Sequence, residues 1–234
     1  YFDCFSGISG DMCLGALIAA GADLEQLKSG LGSLKLAGFE LQVKQVAVNG
    51  IGATDVTVQV TEETQPHRHL HHIHQIIDAS ELSPWVKDTS KHIFYSLAVA
   101  EAKVHQSTLE KVHFHEVGAL DAIVDIVGSV IAIELLGITE IFFGPLPTGK
   151  GFVTCQHGEI PLPAPAVVEL LTGFTVYDSG VEGELVTPTG AALVTTLGKQ
   201  CSGIPKMNLV GAGYGAGKKS FARPNLLRVL IGEV

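Results

Sequence analysis

Apolar and polar positions change period several times along the chain, and each change marks a predicted element. Residues 1–5 form a short apolar run that predicts a strand. The loop Ser6-Gly7-Ile8-Ser9-Gly10 follows, and the apolar stretch from Asp11 to Ala20, stopped by Gly21, predicts a helix. A second helix is expected over 23–31 with Asp23 as its cap. Residues 39–48 and 54–62 alternate apolar and polar around Asn49-Gly50, the signal of a hairpin. Helices are predicted near 71–79, over 83–105 with Ser83 as cap and Pro84 at the first position, and over the strongly apolar 119–136. Beyond Gly137 come strands at 138–143, 151–155, 174–178, 207–214 and 225–231, with helices at 165–172 and 188–198. This order predicts an α/β or α+β fold, a mixed sheet with flanking helices. The polar, histidine-dense stretch 38–80 is expected to form a small hairpin lobe within it.

Composition narrows the function classes. With 46% hydrophobic and 17% charged residues in 234, the chain can bury a large core. Its 15 basic and 24 acidic residues, net −9, argue against nucleic acid or anionic lipid as partner and favour metal ions and small ligands. Cys4, Cys13, Cys155 and Cys201 make no CxxC pair, so no disulfide framework or thiolate zinc site is written here. No leader-like segment opens the chain and no run nears the ~18 apolar residues of a membrane span, so a reducing, cytoplasmic setting is expected. The chain opens and closes on strand-like runs, and further sequence is expected on either side.

Histidines carry the first chemical signal. His67, His69, His71, His72 and His74 crowd into eight residues, a cluster that fits either a nickel, copper or zinc site or a solvated surface patch. The segment from His113 to Asp125 is sharper. In an extended stretch His113 and His115 project to one side and can converge on one ion. Asp121 and Asp125 lie one turn apart on one face of an apolar helix, where a carboxylate needs a partner: a metal or a cationic ligand, or else Asp121 caps the helix and Asp125 pairs with a lysine or arginine. Glu116 stands beside them.

Glycines and hydroxyls supply the second. Ser6, Gly7, Ser9 and Gly10 occupy a strand-to-helix handover whose free N–H groups can hold an anion, and Asp11 can cap that helix or bind a metal. The alternate glycines Gly211, Gly213, Gly215 and Gly217 suggest close approach to a neighbouring strand or a ligand, with Lys218, Lys219 and Arg223 available to a phosphate or to solvent. His157, before a proline-rich turn, is a candidate ligand or base. Neither G-x-S-x-G nor H-E-x-x-H occurs, so hydrolase readings lose their usual support.

The blocks Tyr1 to Met12, Pro66-His67-Arg68-His69, His113 to Asp121, His157 to Pro165, Thr187-Pro188-Thr189-Gly190 and Gly213 to Lys218 together resemble the nickel insertion protein of lactate racemase maturation, the LarC family. The resemblance runs from the first residue nearly to the last. It implies a nickel chelatase of the lyase class, acting on pyridinium-3,5-bisthiocarboxylic acid mononucleotide to make a nickel-pincer nucleotide with nickel on two sulfurs and one ring carbon. It further implies CTP with manganese or magnesium, bound by a separate C-terminal domain of which residues 1–234 would be the N-terminal companion. Lactate racemase apoprotein would be a partner, and self-association stays open. Within this frame His113, His115 and Asp121 are expected as nickel ligands with Asp11 as a fourth. Glu116 or His157 is expected as the base, and Ser6, Gly7, Ser9, Gly10 and Lys218 as the cofactor-binding set. Two competing readings are a nickel store without catalysis and a phosphate-ligand enzyme unrelated to nickel.

Overall fold

A computed structural model describes residues 1–61, 68–112, 120–155 and 158–233. The expectations placed on His67, His113, His115, Glu116 and His157 lie outside the described residues.

In chain order the elements are β1 Phe2–Asp3, α1 Gly10–Ala19, α2 Leu24–Gly32, β2 Phe39–Val48, β3 Ile51–Val60, α3 Leu70–Asp78, α4 Pro84–Val104 and α5 Leu120–Leu135. They continue with β4 Phe142–Phe143, β5 Leu146–Lys150, β6 Phe152–Cys155, β7 Gly158–Pro161, α6 Pro165–Leu170, β8 Val176–Glu182, α7 Pro188–Leu197, β9 Lys199–Gln200, β10 Asn208–Ala216 and β11 Leu226–Glu233. The fold is α/β. Its seven-stranded mixed sheet runs β2-β3-β10-β11-β1-β4-β9, and β5-β8 and β6-β7 form two small sheets.

Local chemistry explains the boundaries. Asp23 accepts from the Gln26 N–H, Ser83 from Val86 and Thr187 from Gly190, so α2, α4 and α7 each begin on a side-chain cap. Asn49 and Gly50 both take positive φ, 50° and 81°, and close the β2–β3 hairpin in the left-handed turn that matches strand twist. That hairpin lies at the end of the main sheet, with Thr54 of β3 paired in parallel to Gly215 of β10. From the same stretch, Ile73 and Ile77 of α3 are fully buried in the main core.

Helix α5 is buried over Ala122–Ile133, as its all-round apolar sequence requires, and packs against α1, α2, α4 and α7. Helix α1 packs on β10 and also on α5. Two of the alternate glycines of β10, Gly213 and Gly215, closely approach helix α1 rather than the neighbouring strand or ligand that the sequence suggests. A Cβ on Gly213 would fall 2.1 Å from the Ala16 carbonyl oxygen, and one on Gly215 would fall 1.9 Å from that of Met12. Among the described residues no helix is long and apolar enough to cross a membrane.

The contact at Gly215 is backbone against backbone and cannot be relieved by a rotamer change. Gly215→Ala should therefore destabilise the chain by at least the upper part of the ~1–3 kcal/mol range for overpacking. Gly52→Ala, with nothing within 4 Å of its added carbon, should be near neutral in the same denaturant titration. Equal midpoints for the two variants would contradict this packing account.

Candidate functional site

Three helices begin at one place. Ser9, Gly10 and Asp11 at the start of α1, Asp121 and Asp125 in the first turns of α5, and Thr187 to Thr189 at the start of α7 line a cavity of about 460 Å³. Val56 to Val58 of β3 and the Gly217-Lys218-Lys219 turn complete the wall. The volume suits a small organic ligand.

Each polar group on this wall has a definable state. The Oδ1 of Asp11 accepts from the Ser9 hydroxyl and from the Met12 N–H at 2.9 Å, so Asp11 covers its own helix start. Burial pushes its carboxyl above the usual carboxylate range, opposed by the Ser9 hydrogen bond and by Lys218. Lys218 Nζ lies 3.9 Å from the other Asp11 oxygen but donates to Asp55, to the Val56 carbonyl at 2.7 Å and to Thr57 Oγ1 at 2.8 Å. Those three acceptors account for the ammonium protons, so Lys218 acts on the cavity as a fixed charge. Lys219 pairs with Glu184 at 3.3 Å. The exposed Asp121 accepts from the Ala122 N–H at 2.8 Å, which makes it a capping carboxylate that also faces the cavity.

Asp125 differs from both. It is only 9% exposed, and its Oδ1 has no hydrogen-bond partner. Burial raises its carboxyl well above the ordinary range, and repulsion from Asp11 and Asp121 adds to that. Gly10 makes room for it, since a Cβ there would lie 2.6 Å from Asp125 Oδ2.

Of the sequence-derived candidates, Ser9, Gly10, Asp11, Asp121 and Lys218 meet at this cavity, whereas Ser6 and Gly7 stand outside its lining. The Ser6 hydroxyl donates to the Pro224 carbonyl at 2.7 Å, and Gly7, at φ 98°, presses on the Leu185 carbonyl. Ile8 then pairs with the 185–187 backbone, so this loop positions the start of α7 beside that of α1. Thr187, Thr189, Glu184 and Asn225 also line the cavity. Thr187 and Thr189 stood in one of the blocks that carry the family resemblance, and Glu184 and Asn225 had no signal in the sequence.

The histidine cluster is elsewhere in the wall of the fold. His69 Nδ1 donates to the Val112 carbonyl at 3.0 Å, since a carbonyl can only accept, and so ties the start of α3 to the residue preceding His113. The His69, His71 and His72 rings gather there, with His71 and His72 centroids 3.9 Å apart. Among the described residues no three His, Cys, Asp or Glu side chains are already arranged around a common metal position.

The whole of residues 1–234 matches the family model described as nickel insertion protein. The chain belongs to the nickel insertion protein family. A "Putative nickel insertion protein" of Dictyoglomus thermophilum is 49% identical over 234 residues, covering 100% of this chain and 60% of that protein. A "Pyridinium-3,5-bisthiocarboxylic acid mononucleotide nickel insertion protein" of Desulfitobacterium hafniense is 51% identical over 100% of this chain and 58% of its own length. The relative of that same name in Acetivibrio thermocellus is 45% identical, again over 100% of this chain and 60% of its own. The chain thus spans about 60% of the length of these family members. No solved structure matches it.

A carboxyl whose pKa is higher in the fold than in the unfolded chain takes stability away as pH rises from the unfolded value, about 3.9, towards the folded one. Asp125→Asn should therefore raise the melting temperature at pH 8, by the equivalent of about 1–3 kcal/mol, and change it little near pH 4. A gap between variant and wild type that does not widen with pH would show that Asp125 is compensated in the folded chain.

Proposed function

We propose that this chain carries the part of a nickel insertion protein in which nickel(II) meets pyridinium-3,5-bisthiocarboxylic acid mononucleotide. The observation that carries the reading is the cavity at the joint start of α1, α5 and α7, where three carboxylates face three helix N-termini. The substrate is matched to that mixture. Its phosphate and thiocarboxylates are anions that helix N-termini attract, while the pyridinium ring and the arriving dication are cations that Asp11, Asp121 and Asp125 attract.

Nickel first rests on exchangeable nitrogen and oxygen ligands, for which His113, His115, Asp121 and Asp11 are the set. It then passes to the softer sulfurs of the substrate, a direction that ligand softness favours. Asp121 follows His113 by eight positions. The chain would thus act as a nickel chelatase of the lyase class in a cytoplasmic setting. CTP, with manganese or magnesium, is assigned to the additional length present in the relatives, and lactate racemase apoprotein is the proposed recipient of the product. A second reading, a nickel store, draws support from the gathered rings of His69, His71 and His72.

Calorimetric titration with nickel separates the two. His113→Ala/His115→Ala and Asp11→Asn should each weaken the tightest nickel site at least tenfold, about 1.4 kcal/mol, and the mononucleotide should bind the wild-type chain without nickel. Unchanged affinity in both variants, with nickel lost only on removing His69, His71 and His72, would leave the store reading in its place.

A further inference from the structure

The nickel ligand set leaves two carboxylates of the cavity without a task, Asp125 and Glu184, and Glu184 is paired with Lys219. The Asp125 side chain is nine-tenths buried, it lines the cavity, and its Oδ1 accepts no hydrogen bond. Folded proteins leave few buried polar atoms in that state, and a catalytic role is one reason for such an atom to persist. The groups around it do not neutralise it. Gly10 and the Thr189 methyl lie beside it, Asp11 and Asp121 repel it, and Lys218 attracts it only from a distance, with its protons given to other acceptors.

The substrate's own chemistry supplies a use. With thiocarboxylates at ring positions 3 and 5, the carbon between them bears a hydrogen, and a metal held by both sulfurs is brought against that C–H bond. For nickel to close onto the carbon, the bond must break heterolytically. The electron pair stays on carbon and becomes the nickel–carbon bond, the hydrogen leaves as a proton, and nickel remains divalent. A proton acceptor must then stand within hydrogen-bond reach.

Resting on the nickel-insertion reading above, we propose that Asp125 is the catalytic base that accepts this ring proton. The other three carboxylates are less suited, Glu184 being paired with Lys219. Asp11 has its Oδ1 engaged twice and Lys218 near its Oδ2, and Asp121 is exposed and tied to the Ala122 N–H. Burial holds the Asp125 carboxyl well above the ordinary carboxylate range, which strengthens it as a proton acceptor. Gly10 is the device that admits the carboxyl to the cavity floor, because any larger residue would collide with it.

The test follows a substrate deuterated at the carbon between the thiocarboxylates. Deuterium loss in the presence of nickel(II) is read by mass spectrometry, and nickel and mononucleotide affinities are read by calorimetry on the same preparations. Asp125→Asn should slow deuterium loss by ~100-fold or more, the range of a general base, while both affinities stay within about threefold. Formate should restore part of the rate to Asp125→Ala, whose missing carboxyl it can replace. Undiminished loss in Asp125→Asn, or a fall confined to Glu116→Gln or His157→Gln, overturns the assignment. A fall in nickel affinity that parallels the fall in rate makes Asp125 a ligand and overturns it as well. A wild-type chain that binds nickel and mononucleotide yet releases no deuterium overturns the insertion reading itself, and the base with it.

Discussion

Everything at the cavity depends on how closely α1 lies on β10. Gly213 and Gly215 present bare backbone to the carbonyl oxygens of Ala16 and Met12, so the helix rests on the strand with no side chain between them. On its other side α1 meets α5 where Gly128 faces Leu14 and Gly10 faces Asp125. Small residues at both contacts set the separation of Asp11 from Asp125, two carboxylates with raised proton affinity. A shift of α1 by the width of one methyl group would move both, and displacements of about 1 Å are enough to disable a catalytic arrangement.

The electrostatic character follows from that geometry. Three helix starts supply partial positive charge, and acidic side chains at the same spot supply full negative charge. In most folds such carboxylates would simply cap their helices, and Asp11 and Asp121 do cap. Asp125 has no such duty, being one turn further along α5 and sealed beneath Gly10. A cavity of this kind favours ligands that carry both signs. Nickel with a zwitterionic pyridinium nucleotide is one, and the family to which the chain belongs is named for that pairing in its Desulfitobacterium hafniense and Acetivibrio thermocellus members.

Much of the helical framework was legible where a start combines an apolar period with a capping residue, as at Asp23 and Ser83-Pro84. The hairpin at Asn49-Gly50 was legible for the same local reason. Strands β5, β7 and β9 were not, since they are two to five residues long and β5 and β7 contain proline or glycine. Strand β4 contracts from six expected residues to Phe142–Phe143 because only those pair with β1 and β9. At the site, Ser9, Gly10, Asp11, Asp121 and Lys218 could be read as candidates from residue type and position. That Ser6 and Gly7 serve the backbone at Pro224 and Leu185 could not, because those partners are about 180 to 220 positions away. The spacing of Asp125 from Asp121 was visible, but its burial and its unpartnered oxygen arise from the packing of α1 and α7 over α5.

The most direct measurement is anomalous diffraction at the nickel absorption edge, from crystals of the chain grown with nickel and the mononucleotide. The account predicts a nickel peak inside the cavity bounded by Asp11, Asp121 and Asp125, with the substrate's sulfurs beside it and its ring carbon turned towards Asp125. A peak confined to the imidazoles of His69, His71 and His72, with the cavity holding neither metal nor nucleotide, would contradict it.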